Sequence, residues 1–145
     1  MTEIEFHVNL PDKLHYSCRL MRKAHRSGTK VVVTAEPELL AQLDDLLWRF
    51  SGCDFLPHCL STAAANTLAV TPILLTQQLQ SSPPDSVLIN LGQHPPAHFE
   101  SFQRFIELAS DTVEETSAAR TRWKFYRDRG YALKRYEPPT VPEPP

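Results

Sequence analysis

Five cations and four aromatics crowd into A-A-R-T-R-W-K-F-Y-R-D-R-G-Y, residues 118 to 131. Arg120, Arg122, Lys124, Arg127 and Arg129 surround Trp123, Phe125, Tyr126 and Tyr131, and Asp128 is the single acid. Guanidinium groups grip carboxylates and phosphates in a bidentate way, and a flat ring beside them adds an apolar wall. The chemistry on offer is recognition of an anion that also carries apolar surface.

Other reactive residues do not assemble into a known constellation. Cys53, His58 and Cys59, with His94 or His98, invite a metal reading. Zinc sites offer two ligands separated by two to four residues, twice over. Here Cys53 stands alone and His58 and Cys59 are adjacent, so the expectation is buried thiols and a loop histidine, with no metal. The chain has only four glycines, Gly28, Gly52, Gly92 and Gly130. No G-x-x-x-x-G-K-[ST] phosphate loop and no G-x-S-x-G elbow can be built from them. No catalytic residue and no cofactor are expected.

The totals set the frame. A chain of 145 residues with net charge −2 is one domain with no global pull toward nucleic acid or anionic lipid. Arg120, Arg122, Lys124, Arg127, Arg129, Lys134 and Arg135 are seven of the fifteen basic residues, so the remainder is acidic and the basic segment is local. Three cysteines do not suggest a disulfide framework. The N-terminus M-T-E-I-E-F-H-V has no apolar core of a signal peptide, and no apolar run approaches the ~20 residues of a membrane span. The expectation is a cytoplasmic protein with no membrane partner.

Elements that could position the basic segment follow from periodicity. Ile4, Phe6, Val8 and Leu10 alternate with polar residues as a strand, and 13 to 27 has helical spacing ending at Gly28. T-K-V-V-V-T-A is apolar on both faces, as in a central parallel strand. Pro37 opens a helix that reaches Trp48. Residues 50 to 60 are expected to be an apolar loop. P-I-L-L-T and V-L-I-N-L are short buried strands. A short helix precedes a strand around Phe105 to Ala109, a helix runs from about Thr116 to Arg129, and Y-A-L-K-R-Y is a last strand. Alternating strands and helices predict a single three-layer α/β/α domain over 1–137 with a mostly parallel sheet, nucleotide-binding-like but without a nucleotide site. Residues 138–145, with five prolines, are expected to be a flexible tail.

At ~100° per residue, Ala118, Ala119, Phe125 and Tyr126 share a core-facing arc. Arg122 and Arg129 lie within it, with their stems expected across apolar surface and their heads at its edge. Arg120, Lys124 and Arg127 form an exposed stripe, and Trp123 falls between. That pattern suits a solvated basic face, a dock for a peptide with an aromatic end and a free carboxylate, or a single-stranded nucleic-acid face with Trp123 stacking on a base. The acidic remainder opposes a long polyanion. Trp48, Phe50, Phe55, Leu56 and Pro57 either fold over the core or form a patch for a partner.

Five blocks carry a family resemblance: S-G-T-K-V-V-V-T-A-E (27 to 36), L-D-D-L-L-W (43 to 48), D-F-L-P-H-C-L (54 to 60), D-S-V-L-I-N-L (85 to 91) and the basic segment itself. In this order and spacing the chain resembles the chi subunits of bacterial DNA polymerase III. The resemblance implies a non-catalytic DNA replication subunit linking the clamp loader, through the psi subunit, to the acidic C-terminal tail of single-stranded-DNA-binding protein. DNA would then be reached only indirectly; the alternative is a direct single-stranded nucleic-acid binding module. The family's tail pocket matches Arg120, Trp123 and Lys124, to which the exposed stripe adds Arg127. Arg120 would clamp the terminal carboxylate, Trp123 would pack beside the terminal ring, and Lys124 would attract upstream acids. A further family lysine aligns with Thr116. The psi contact matches Trp48, Phe55, Pro57 and His58.

Overall fold

The computed structural model describes residues 2–49, 58–60, 73–76 and 86–138. The described elements are strands β1 (Glu3–Leu10), β2 (Lys30–Thr34), β3 (His58–Leu60), β4 (Ile73–Thr76), β5 (Ser86–Asn90), β6 (Arg104–Ser110) and β7 (Ala132–Tyr136), with helices α1 (Lys13–Arg26) after β1, α2 (Pro37–Arg49) after β2 and α3 (Val113–Asp128) after β6. The strands form one sheet in the order β3-β4-β2-β5-β6-β1-β7, and every described pairing is parallel. The α/β/α expectation holds.

Two apolar layers explain the arrangement. Val31, Val33, Ile89, Ile106 and Leu108 face one side, where they pack with Cys18 and Met21 of α1 and Leu40, Leu43 and Leu47 of α2. Val32, Leu88 and Phe105 face the other side, against Ala119 and Tyr126 of α3. A strand buried on both faces cannot spare alternate positions for polar residues, which is why V-V-V is continuous.

Boundaries differ from expectation where local hydrogen bonding decides them. The apolar stretch expected as a loop to residue 60 ends in β3, which pairs His58 with Ile73 and Leu60 with Leu75. The short helix before β6 is one 3-10 turn, Phe99–Ser101. Helix α3 begins at Val113 because Thr112 caps it, its side chain accepting from the Glu115 amide at 3.2 Å. Its other end stops at Gly130, whose φ of +83° suits glycine. The expected 138–145 tail lies beyond the described residues after Pro138.

Candidate functional site

Helix α3 is held by polar contacts at one end and a buried ion pair in its middle. Lys13 of α1 donates to the Glu115 carboxylate at 2.7 Å and to the Leu91 carbonyl at 2.8 Å. This pins the first turn of α3 to α1 and the end of β5. Glu115 is held below the usual carboxylate range: burial raises it, and Lys13 and the Ser110 amide outweigh that pull.

Two turns further on, Arg122 departs from the expectation. Its guanidinium does not reach the edge of the core. The residue is 2% exposed, and Nε lies 3.1 Å from Oε1 of the wholly buried Glu107. Nη1 donates to the Gln93 carbonyl at 3.0 Å. The Nε contact is Coulombic and lacks the alignment of a hydrogen bond. Tyr126 Oη and Asn90 Nδ2 donate to the two oxygens of Glu107. Burial pushes the Glu107 carboxyl up to about 7, against the pull of Arg122, Tyr126 and Asn90. The physical reason for the departure is Glu107, a carboxylate on the α3 side of an apolar strand that demands a counter-charge. Its place in R-F-I-E-L-A-S is the signal that could have located Arg122. Arg129 behaves as expected, its guanidinium 3.6 Å from the centre of the half-buried Phe125 ring.

With Arg122 inside, the remaining bases sort cleanly. Arg120, Lys124 and Arg127 are exposed on α3, and Trp123 is half-buried beside them. All four line one cleft of about 420 Å³, the size of a small-ligand or peptide-side-chain site. Trp123 is fixed as its wall by an edge contact with Phe6, centroid to centroid 5.2 Å. Phe6, Val8, Ala109 and Ala119 also line it. Thr116 lies on the same wall, at the position where a lysine was expected from the family.

The opposite wall was not foreseen. It consists of Asn9 from β1 and Arg135 and Glu137 from β7 and the residue just after it. Asn9 takes a left-handed φ of 59°, where the register of β1 against β6 shifts between His7 and Leu10. Only the sheet order, with β7 beside β1, brings this wall within reach of α3. Among the described residues the cleft thus offers four cations, one carboxylate and an aromatic wall, which is chemistry for binding an acidic, partly apolar ligand.

The second predicted group lies at the far edge of the sheet. Trp48 is 61% exposed near the end of α2, and α2 packs against β3, the outermost strand there. His58 opens β3. Phe55 and Pro57 lie outside the described residues, as does Cys53. Among the described residues no three metal-binding side chains gather, and burial pushes the Cys18 thiol up to about 12. A second cleft, of about 440 Å³, opens at the carboxyl ends of β2 and β5 with Thr34, Glu36, Asn90, His94 and His98. Among the described residues no helix is long and apolar enough to cross a membrane.

Comparison of sequences with known proteins points to one family. The model of the DNA polymerase III chi subunit, HolC, matches residues 1–134. The DNA polymerase III subunit chi of Pseudomonas aeruginosa is 32% identical, over 97% of this chain and 100% of that protein. That of Haemophilus influenzae is 34% identical over 81% of each chain. That of Escherichia coli is 29% identical over 80% of this chain and 79% of its own length. Among solved structures, the C-terminal domain of the DEAD-box protein Dbp5 superposes with a TM-score of 0.57 at 10% identity, covering 94% of this chain and 90% of that one. At that identity the likeness concerns the fold alone.

Proposed function

Because the chain belongs to the DNA polymerase III chi subunit family, we propose that it works as a non-catalytic bridge, one edge of the sheet held by the clamp loader through psi and the other docking the acidic tail of single-stranded-DNA-binding protein. Polymerase chemistry then resides in other subunits. The observation that carries this reading is the meeting of Arg120, Trp123, Lys124 and Arg127 on one cleft.

Steering comes first. The cations of the α3 wall face solvent and attract an acidic peptide before contact. Anchoring follows: Arg120 takes the terminal carboxylate in bidentate fashion, and the aromatic end lies against Trp123, which Phe6 holds in place. Lys124 and Arg127 neutralise acidic residues upstream. The Trp48 patch and the cleft lie toward opposite ends of a seven-stranded sheet. Six inter-strand spacings separate those ends by roughly 30 Å. Two partners can therefore occupy the protein together without collision.

The test is fluorescence anisotropy with a labelled peptide carrying a run of aspartates and a C-terminal Phe with a free carboxylate. Micromolar binding is expected, weakened ~10-fold or more by Arg120→Ala. Equal binding by Arg120→Ala removes this site assignment. Comparable affinity for a bare oligothymidine strand would favour direct nucleic-acid binding instead.

A further inference from the structure

The unforeseen wall of the cleft already holds a carboxylate, and that carboxylate belongs to the chain itself. Glu137 Oε1 accepts from Asn9 Nδ2 at 2.6 Å, and Glu137 Oε2 accepts from Arg135 Nη2 at 3.2 Å. All three residues line the cleft opposite Arg120 and Lys124. An amide N–H and a guanidinium N–H thus meet the two oxygens of one carboxylate. The backbone is arranged for it. The register shift in β1 leaves Asn9 in a left-handed conformation that asparagine tolerates better than most residues.

The geometry points to a second carboxylate subsite, built from Asn9 and Arg135, that reads a side-chain carboxylate of an acidic peptide and is filled by Glu137 while the peptide is absent. This inference rests on the docking function proposed above and adds a specificity element to it. Three considerations support exchange. Glu137 and Arg135 are 41% and 60% exposed at their side chains, so water and salt weaken their pairing and a competing carboxylate can displace it. The incoming group makes the same two hydrogen bonds, so the donors are never left bare. Among the described residues, Glu137 is also the one acid lining a cleft with Arg120, Lys124, Arg127 and Arg135. Its charge therefore opposes any polyanionic ligand until it swings out. The terminal carboxylate is assigned to Arg120 on the other wall, so the β-wall subsite takes an aspartate or glutamate upstream of the peptide's end.

The experiment uses the whole chain and the same labelled aspartate-rich, Phe-ended peptide. Glu137→Gln is expected to bind ~3- to 10-fold more tightly than wild type, because the competing charge is gone. Arg135→Ala is expected to bind more weakly, and adding Glu137→Gln to Arg135→Ala should recover much less than it gains in wild type. With asparagines replacing the peptide's aspartates, the gain from Glu137→Gln should disappear. With an amidated C-terminus it should persist. Binding by Glu137→Gln equal to or weaker than wild type overturns the subsite, as does a gain that survives removal of the aspartates. Failure of the docking function looks different: wild type then ignores the peptide, or Arg120→Ala binds it unchanged. Arg135→Lys, which keeps the charge and loses the fork, controls for damage to β7.

Discussion

Arg122 and Glu107 meet at 3.1 Å beneath α3, with side chains 2% and 0% exposed. Each would be ruinous alone at that depth, and together they tie α3 to β6. Asn90 joins them to the end of β5 by donating to Glu107 at 2.9 Å, and Gln93 joins them to the loop beyond it. The helix that carries the exposed basic stripe is therefore set in orientation by a polar network inside the core.

Breaking that pair on one side should be costly. Arg122→Met leaves a buried carboxylate without its counter-charge, and a loss of ~3–5 kcal/mol is expected in urea unfolding. Adding Glu107→Gln to Arg122→Met should restore part of that loss, because the orphaned charge is then removed. A double variant as damaged as the sum of its singles would show that the two side chains do not act as a pair.

The same carboxyl gives stability a dependence on pH. Its folded pKa is raised from 4.5 to about 7 by burial. Between those values the folded protein holds a proton there that the unfolded chain has released. The associated stability is complete below about pH 4.5 and is lost as pH rises through about 7. His7 acts in the opposite sense, since burial lowers its pKa from 6.5. So does Glu5, where Arg104 and His7 overcome the upward pull of burial. Both are present in a Glu107→Gln variant and cancel in the comparison. Unfolding free energy of wild type minus that of Glu107→Gln should therefore fall between pH 5 and 7, by at most ~1.4 kcal/mol per pH unit. A difference that stays flat across that range would place no raised pKa at Glu107.

Much of this was legible from residue order alone, and the rest was not for reasons that can be named. V-V-V between helices announced a parallel strand buried on both faces. The helical wheel separated Arg120, Lys124 and Arg127 from the core correctly, because one helix face is a local property. It misplaced Arg122, because a wheel cannot see that the strand packed beneath it carries Glu107. The first turn of α3 was missed, although Thr112 and Glu115 have the spacing of a capping box. The wall formed by Asn9, Arg135 and Glu137 was beyond reach. It depends on β7 returning to lie beside β1, and parallel pairing between strands at residues 3 and 132 leaves no local signature.

Trp123 should separate binding from folding. It is half-buried and meets Phe6 edge-on, so Trp123→Ala is expected to cost ~1–2 kcal/mol of stability. Its loss from the cleft wall should weaken the tail peptide ~10-fold or more, since a rigid aromatic anchor is typical of binding hot spots. Trp123→Phe should recover most of the stability and only part of the affinity. Tryptophan fluorescence checks the assignment directly. In a Trp48→Phe background only Trp123 emits, and the acidic peptide should change that emission. An unchanged spectrum at saturating peptide would put the ligand elsewhere.

Lys124 and Arg120 stand one turn apart on the same wall and are expected to fail in different ways. In the proposed docking Arg120 makes a short, oriented contact, so its removal should raise the dissociation rate and leave much of the salt dependence in place. In the same proposal Lys124 is a point charge acting on upstream acids, over distances comparable with the ~10 Å Debye length at 0.1 M salt. Lys124→Ala should therefore lower the association rate at low salt and flatten the loss of affinity as salt rises. Stopped-flow measurements at about 0.05 M and about 0.3 M salt distinguish these outcomes. Identical salt slopes for Lys124→Ala and wild type would show that Lys124 takes no part in steering. A changed slope for Arg120→Ala with an unchanged dissociation rate would reverse the two roles, making Arg120 the steering charge and Lys124 the clamp.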